Sequence, residues 1–312
     1  MSGFDFILSL PLAQQGQPSS MMVWVDKLAR TPLSQIVIFA AVLTGLRLIV
    51  HPLLVKTPRH RQTGLFSVGR FVNDVADAMI YAAILVFLLV RPFGIQTFWI
   101  PSGSMVDTLL VNDLLILNKF VYRVSDPKTG DIVVFEPPKE APDGASGDVD
   151  FIKRLVGAPG DLIEIKDRVF YRNGQKLDEP YVDFTSMASG FLEPLPKSEW
   201  KTALYPDFKL IEGEGKVFPI LVNEDGEANF GAYLSGQGMT DYTGIFPAKD
   251  DGQAKKWAAQ PAVKVPQGHY LFMGDNRNGS NDGRFWGLVA RDKIVGRSEF
   301  IWLPVSRWRA TR

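Results

Sequence analysis

The sequence predicts a mainly β protein in which two N-terminal transmembrane helices precede an antiparallel β domain. Three features of the 312 residues lead to this fold class. Two long apolar segments lie in the first third of the chain, the rest alternates short apolar strands with turn residues, and cysteine is absent. Without disulfides, an extracytoplasmic domain of this chain has to be stabilised by the packing of its core alone.

The two apolar segments read IVIFAAVLTGLRLIVHPLLV and AMIYAAILVFLLV. Because about 20 mostly apolar residues cross a bilayer as a helix, we expect spans at 35–55 and 75–93. The first span requires Arg47 and His51 to extend toward an interface. The alternative is a pair of buried helices in a soluble protein, but the second segment lacks the polar stripe that such helices usually carry.

The segment between the two predicted spans, residues 56–74, is basic. Its cationic side chains are Lys56, Arg59, Arg61 and Arg70, and no acidic residue lies among residues 56–70. Short basic loops between apolar segments stay in the cytoplasm. We therefore expect the N-terminal segment 1–34 and the β domain, residues 94–312, to lie on the extracytoplasmic side, with membrane lipid as a partner.

Short strands are predicted throughout the β domain. Apolar and β-branched residues lie between Gly, Pro, Asn or Asp in the segments DLLILNKFVY, GDIVVFEPP, DFIKRLVG, DLIEIKDRVFYRNG and HYLFMGD. The dipeptide Asn173-Gly174 is typical of a two-residue hairpin turn. Residues from about 172 to 265 carry no chemical motif, and we interpret them as an accessory β region inserted into the domain.

The charge and residue counts exclude several classes of function. The 34 basic and 34 acidic residues cancel, so nucleic acid is not an expected partner. The absence of cysteine excludes thiolate zinc sites and cysteine nucleophiles. No cofactor and no metal are expected.

A pair of serines lies in the segment FWIPSGSMVDTLL, residues 98–110. Ser102 and Ser104 flank a glycine between apolar residues. Ser-Gly-Ser alone is a common turn, so its interpretation as a catalytic segment depends on the rest of the chain.

Two neighbouring cations, Lys153 and Arg154, interrupt an apolar strand in DFIKRLVGAPGD. Because side chains alternate along a strand, one of the two has to point into apolar surroundings or find a partner. Burial lowers the pKa of a lysine from its ordinary value of about 10.4 and lets it act as a base, whereas arginine stays protonated. A strand lysine that extends to solvent is the alternative.

The segment GDNRNGSNDGRFWG, residues 274–287, is rich in the residues that form compact turns. Ser280, Asp282 and Arg284 follow one another at two-residue spacing, so their side chains can share one face. A purely structural turn would have the same composition.

Together with GDIVVF, these three segments resemble the sequence boxes of bacterial type I signal peptidases, in the order in which that family has them. The resemblance covers roughly residues 91–171 and 266–303, together with the two predicted spans. It implies a serine endopeptidase that removes signal peptides from exported preproteins through an acyl-enzyme. It also implies a multi-pass protein of the bacterial cytoplasmic (inner) membrane, with the catalytic domain on the extracytoplasmic side.

The resemblance assigns roles to individual residues. It implies that Ser104 is the nucleophile, that Lys153 is the neutral general base, and that Ser102 completes an oxyanion hole with the backbone N–H of Ser104. The residues implied to support this dyad are Ser280, which would orient the lysine, and the ion pair Asp282–Arg284.

The family binds its substrate as an extended strand whose small residues, typically alanine, occupy shallow apolar pockets one and three positions before the cut. The residues that the resemblance implies for these pockets are Phe98, Ile100, Met105, Leu109 and Ile152. Ordinary core packing is the alternative for each of them. Signal peptides of exported preproteins are the expected partners.

One position departs from the family. Asp107 stands in SMVDTL where the family usually has proline, which adds a negative charge three residues after Ser104. No catalytic group is lost, so we expect an effect on substrate preference rather than on activity itself.

Three other functions are compatible with the sequence alone. Self-cleaving regulatory proteases of the SOS-repressor type also use a serine-lysine dyad, but they are soluble and often carry a DNA-binding head. A Ser-His-Asp hydrolase would depend on His269, because His51 and His60 lie in or beside the apolar segments. An inactive membrane-anchored scaffold of the same fold is the third.

Overall fold

In the computed structural model, the described residues are 31–56, 64–85, 94–141, 149–167, 169–182, 185–186, 193–194, 207–222, 225–228 and 251–311. They form two compact units. The first is mainly helical and lies within residues 31–97 and 118–120, and the second is a β unit formed by residues 98–117 and 121–311.

The helical unit contains helix α1 (Leu33–Lys56) and helix α2 (Leu65–Ala83). Arg47 of α1 forms an ion pair with Asp77 of α2, with 2.8 Å between Nη2 and Oδ2. The large apolar side chains exposed on the two helices include Val42, Leu46, Ile49, Val68, Phe71 and Val72. Within the described ranges, no helix combines the length and the apolar character that crossing a membrane requires.

The second of the two helices differs in position from its predicted span. Helix α1 covers the whole of the first predicted span. Helix α2 begins inside the predicted basic loop, which ends at residue 74. Residues 57–63 of that loop and residues 86–93 of the second predicted span lie outside the described residues.

Antiparallel strands dominate the remaining described chain, as the sequence predicts. The strands are β1 (Ile95–Trp99), β2 (Leu114–Asn118), β3 (Ile132–Phe135), β4 (Phe151–Gly157), β5 (Ile163–Lys166), β6 (Val169–Arg172), β7 (Gln175–Lys176), β8 (Thr185–Ser186), β9 (Glu193–Pro194), β10 (Asp207–Gly213), β11 (Lys216–Val222), β12 (His269–Met273), β13 (Val289–Ala290), β14 (Ile294–Leu303) and β15 (Arg309–Ala310). The short helices are α3 (Val121–Val124), α4 (Asp251–Ala258) and α5 (Gly283–Trp286), with 3₁₀ turns at Arg291–Lys293 and Val305–Arg307.

The main sheet positions the three motif segments. Its strand order is β1-β2-β14-β3-β4-β12-β13, and β15 pairs with β14. Strand β4 lies between β3 and β12, where Met273 pairs with Arg154. Residues 274–282 follow β12 directly, so this register brings the turn-rich segment beside the two cations of β4.

A second, five-stranded sheet has the order β11-β10-β5-β6-β7. The predicted hairpin at Asn173-Gly174 is confirmed, because Arg172 pairs with Gln175 and both turn residues have positive φ, at 54° and 76°. Apolar side chains of β5, β6, β10 and β11 form one buried cluster with residues of α4.

The second sheet and the predicted accessory region, residues 172–265, overlap only in part. The sheet already begins with β5 at Ile163, and helix α4 lies inside the region interpreted as β. Ala254, Trp257 and Ala258 are buried at the spacing of one helix face, which accounts for α4. Residues 195–206 and 229–250 of the predicted region lie outside the described residues.

Candidate active site

Ser104 lies in the loop that connects β1 to β2. The two ends of the loop are joined where Ile100 donates to the carbonyl oxygen of Asp113 at 3.0 Å and accepts from Asn112 at 2.9 Å. Inside the loop, Leu109 donates to the carbonyl oxygen of Met105 at 2.7 Å. Buried apolar side chains at Ile100, Met105 and Leu109 hold this loop on the sheet, and Ser104 itself is buried.

Lys153 meets Ser104 from strand β4. Its Nζ lies 2.7 Å from the Oγ of Ser104, although 49 positions separate the two residues. Both faces of β4 are buried, and Lys153 is only 6% exposed. The predicted nucleophile and the predicted base are therefore in direct hydrogen-bond contact.

Burial shifts the acid–base behaviour of this lysine. Loss of hydration, the largest cause, lowers the pKa of Lys153 from 10.5 to about 8, and the Arg284 guanidinium acts in the same direction. The carboxylates of Asp282 and Asp275 counteract part of this effect. A substantial fraction of the amine is then neutral in mildly alkaline solution, as a general base requires.

The neighbouring Arg154 is buried as well and has its own partner. Its Nε and Nη2 lie 2.8 Å and 2.6 Å from the two carboxylate oxygens of Asp275. The guanidinium also donates to the carbonyl oxygen of Gly130 at 2.9 Å and stacks on the ring of Tyr181 at 3.8 Å. The two cations thus have different environments: Arg154 is neutralised by an acidic partner, whereas Lys153 contacts a hydroxyl.

The two further serines of the predicted site lie close to Ser104. Ser102 is exposed, and its Oγ is 3.4 Å from that of Ser104. Ser280 is buried against Gly274, where an added Cβ would approach the Ser280 Oγ to 2.2 Å and the Ser104 carbonyl oxygen to 2.5 Å. Only glycine fits at position 274. Among the described residues the Ser280 hydroxyl makes no hydrogen bond to Lys153, so the implied bond between them is not formed here.

Asp282 and Arg284 form a fully buried ion pair, with 2.8 Å between Oδ1 and Nε and 2.9 Å between Oδ2 and Nη2. Asp282 also accepts from the backbone N–H of Gly274 at 2.9 Å and caps helix α5. Burial alone would raise the pKa of Asp282, but the guanidinium of Arg284 and these hydrogen bonds hold it below its ordinary value. This pair closes the turn-rich segment into a rigid loop.

Asn276 connects that loop to the nucleophile segment, a role that sequence reasoning missed. Its backbone N–H donates to the carbonyl oxygen of Ser104 at 3.2 Å, and its side chain donates to that of Gly103 at 3.1 Å. Arg277, also missed, is buried and paired with Glu179 at 2.6 Å and 2.9 Å. The run GDNR before the predicted Ser280 was the available indication, because buried Asp, Asn and Arg require partners.

The five apolar residues implied for substrate pockets lie together. Phe98, Ile100, Met105, Leu109 and Ile152 belong to one buried cluster, and each is at most 8% exposed. The cluster includes residues adjacent to both Ser104 and Lys153. Their role in binding substrate stays a prediction.

The histidines do not join this arrangement in the described chain. His269 begins β12, and its Nδ1 lies 3.2 Å from the carbonyl oxygen of Gln267. His51 is exposed on α1, and His60 lies outside the described residues. The available chemistry is therefore a buried amine in contact with a serine hydroxyl, with a second hydroxyl nearby.

Comparisons with known proteins identify the family to which this chain is similar. The family model described as "Signal peptidase, peptidase S26" matches residues 72–303. The chain is 32% identical to signal peptidase I of Aquifex aeolicus over 234 residues, which cover 72% of this chain and 81% of that protein. It is also 32% identical to signal peptidase I of Pseudomonas fluorescens, covering 72% and 70% of the two chains. The probable signal peptidase I-1 of Synechocystis is 29% identical, over 78% of this chain and 88% of its own length.

Proposed function

This chain belongs to the signal peptidase family, peptidase S26, and from that membership we propose how its residues cleave a peptide bond. It is a serine endopeptidase that removes signal peptides from preproteins. We assign Ser104 as the nucleophile and Lys153 as the general base. The observation that carries this assignment is the 2.7 Å distance between the buried Lys153 Nζ and the Ser104 Oγ.

In the first step, neutral Lys153 takes the hydroxyl proton of Ser104 while the Oγ attacks the scissile carbonyl carbon. The tetrahedral intermediate collapses when the protonated lysine gives its proton to the leaving amine. The mature protein departs with a new N-terminus, and the signal peptide remains as an ester on Ser104.

Water then completes the reaction. Lys153, neutral again, takes a proton from a water molecule that attacks the ester, and it returns the proton to the Ser104 Oγ when the acyl group leaves. The lowered pKa of Lys153 supports this double use, because a lysine with its ordinary pKa would be protonated in nearly every molecule at neutral pH.

The negative charge of the tetrahedral intermediate needs preorganised donors. We assign these to the backbone N–H of Ser104 and the hydroxyl of Ser102. In the described chain this N–H makes no hydrogen bond, and the Ser102 hydroxyl lies 3.4 Å from the attacking oxygen. Asn276 supports the arrangement because its backbone N–H donates to the carbonyl oxygen of Ser104 and so holds that residue in place.

The substrate would bind as an extended strand with small residues, such as alanine, one and three positions before the cut. We assign Phe98, Ile100, Met105, Leu109 and Ile152 to the pockets that receive these small residues. Their common cluster beside the dyad supports this placement. Because the cluster is already densely buried, side chains larger than alanine would be excluded.

We further propose that the N-terminal helices anchor the enzyme in the cytoplasmic membrane, with the catalytic domain on the extracytoplasmic side. Helix α1 exposes apolar side chains around its surface, which favours lipid contact over solvent. The Arg47–Asp77 pair between the helices would neutralise both charges within the lipid region.

The test is cleavage of a preprotein whose signal peptide ends in Ala-x-Ala. The full chain, purified in detergent, should cut after the second alanine, as read from the mass and the new N-terminus of the product. Its Ser104→Ala variant should leave the preprotein intact. Cleavage elsewhere, or cleavage that persists in Ser104→Ala, would contradict the proposal.

A further inference from the structure

The C-terminal residues of the β unit contact the loop that carries Ser104. After the 3₁₀ turn Val305–Arg307, strand β15 pairs with β14 at Phe300 and Ile301. Thr311 is buried, and its hydroxyl donates to the carbonyl oxygen of Ser298 at 2.8 Å. Residues 309–311 are therefore fixed on the main sheet.

Arg307 forms the first contact with the loop. Its Nε lies 2.8 Å from Oδ1 of Asp113 and its Nη2 lies 3.0 Å from Oδ2, the two-point geometry of a strong ion pair. The Asp113 side chain is only 1% exposed, and that of Arg307 is 25% exposed. The carboxylate is thus held by a partner that reaches it from 194 positions away in the chain.

Asp113 in turn fixes both ends of the loop. Its carboxylate accepts from the backbone N–H of Leu110 at 2.8 Å. Its own carbonyl oxygen accepts from Ile100, four residues before Ser104, at 3.0 Å. A movement of Asp113 would therefore change the positions of both segments that flank the nucleophile.

Arg309 forms the second contact, nearer to Ser104. Its Nη2 donates to the carbonyl oxygen of Thr108 at 2.6 Å and lies 3.3 Å from that of Asp107. The Thr108 hydroxyl donates to Asp275 at 2.5 Å, and Asp275 is the buried partner of Arg154. This second contact thus reaches the strand that carries Lys153.

From these contacts we propose that residues 305–311 form a C-terminal clamp, in which Arg307 and Arg309 are positioning residues that hold the Ser104 loop in register with Lys153. The clamp rests on the assignment of Ser104 and Lys153 made above. It does not touch substrate. It keeps the Ser104 hydroxyl within hydrogen-bond distance of the Lys153 amine. This matters because small misplacements of a nucleophile reduce turnover strongly.

The experiment compares Arg307→Gln and Arg307→Lys with wild type, using the full chain in detergent and the Ala-x-Ala preprotein. We expect kcat to fall about 10- to 100-fold in Arg307→Gln, with KM nearly unchanged. Arg307→Lys should recover part of the loss, because it keeps the charge without the two-point contact. The pH at which activity is half-maximal should not move, since Arg307 is not among the groups that shift the pKa of Lys153.

Folding effects are separated by controls. Removing Arg307 leaves the Asp113 carboxylate buried without its partner, so Arg307→Gln alone can lose stability. The double variant Arg307→Gln, Asp113→Asn removes both charges, and its kcat should be no higher than that of the single variant. Lys293→Gln breaks an exposed ion pair with Glu136 on the same unit and should behave as wild type.

Each outcome decides one question. If Arg307→Gln keeps the wild-type kcat per folded molecule, judged from its thermal unfolding curve, the clamp is structural only and the inference is wrong. A double variant with restored kcat would also overturn it, because buried charge alone would then explain the loss. If instead the wild-type chain fails to cut, or Ser104→Ala still cuts, the proposed active site is wrong.

Discussion

Arg154 and Asp275 form a two-point ion pair, with both side chains buried and 2.6 Å and 2.8 Å between their atoms. Because Arg154 follows Lys153 directly, this pair settles which of the two adjacent cations is neutralised by a carboxylate. Arg154 is paired with this carboxylate, whereas the amine of Lys153 contacts the Ser104 hydroxyl. The site therefore has a buried amine whose pKa is lowered mainly by its burial.

The first prediction concerns the dyad as a unit. Ser104→Ala and Lys153→Ala should each lower kcat by several orders of magnitude, because either change removes the proton transfer that activates the nucleophile. The double variant should be little worse than either single one. His269→Ala is the matched control, and it should keep most of the activity in the preprotein assay. Equal loss in His269→Ala and Ser104→Ala would show that the serine-lysine mechanism is wrong here.

The second prediction is an alkaline pH dependence. The base must be neutral, so kcat/KM should be low in acid, rise through an apparent pKa of about 8 and be highest above it. The measurement is kcat/KM for the preprotein between pH 6 and pH 10, a range of ~4 pH units around the pKa of Lys153. Lys153→Arg should stay inactive at every pH, because arginine does not lose its proton. An optimum in acid would be incompatible with a lysine base.

The third prediction uses Asp282 to shift that profile. Its carboxylate raises the pKa of Lys153, so its neutralisation in Asp282→Asn should move the acid limb of the residual activity to lower pH. The maximal rate should also fall, since the buried partner of Arg284 is lost. Glu136→Gln, which removes an exposed carboxylate, is the control and should leave the profile unchanged. A shift of the limb to higher pH in Asp282→Asn would refute the electrostatic account.

The fourth prediction concerns how much the burial of Lys153 lowers the free energy of unfolding. The folded state lowers the pKa of Lys153 from 10.5 to about 8, so between these values the unfolded chain binds more protons and stability rises with pH. Below pH 8 the lowered pKa of Lys153 destabilises the folded state by its full amount, on the order of 3 kcal/mol at 1.36 kcal/mol per pKa unit. Lys153→Met should therefore be more stable than wild type at pH 7, by denaturant unfolding. The difference should shrink as the pH approaches 10.5, and a constant difference would contradict it.

Local sequence patterns predicted the strands and singled out Lys153 for physical reasons, whereas the pairing of Lys153 with Ser104 was implied only by the resemblance to the signal peptidase family. Strands β2, β3, β4 and β12 follow from apolar runs bounded by turn residues, and Lys153 was noticeable because a cation in such a run is costly to bury. The helix α4 was missed because only two helical turns carry its apolar face. At that length, periodicity does not separate a helix from irregular structure.

The partners of the buried charges could not be predicted in the same way. Arg154 and Asp275 are 121 positions apart, and Arg307 and Asp113 are 194 apart. Their pairing depends on the strand order of the main sheet, which no local pattern specifies. For the same reason no local pattern predicts that Arg307 is paired with Asp113, in the loop that carries Ser104.

The last prediction concerns topology. Four basic residues between the apolar segments should retain residues 56–70 in the cytoplasm, so the chain after α2 should be exported. A reporter enzyme that is active only outside the cytoplasm should work when fused after residue 120 and fail when fused after residue 65. Replacing Arg59, Arg61 and Arg70 by Gln should weaken this contrast, whereas Lys293→Gln, far from the helices in sequence, should not. If the reporter worked only after residue 65, the catalytic domain would lie in the cytoplasm, where it could not meet the cleavage site of an exported signal peptide.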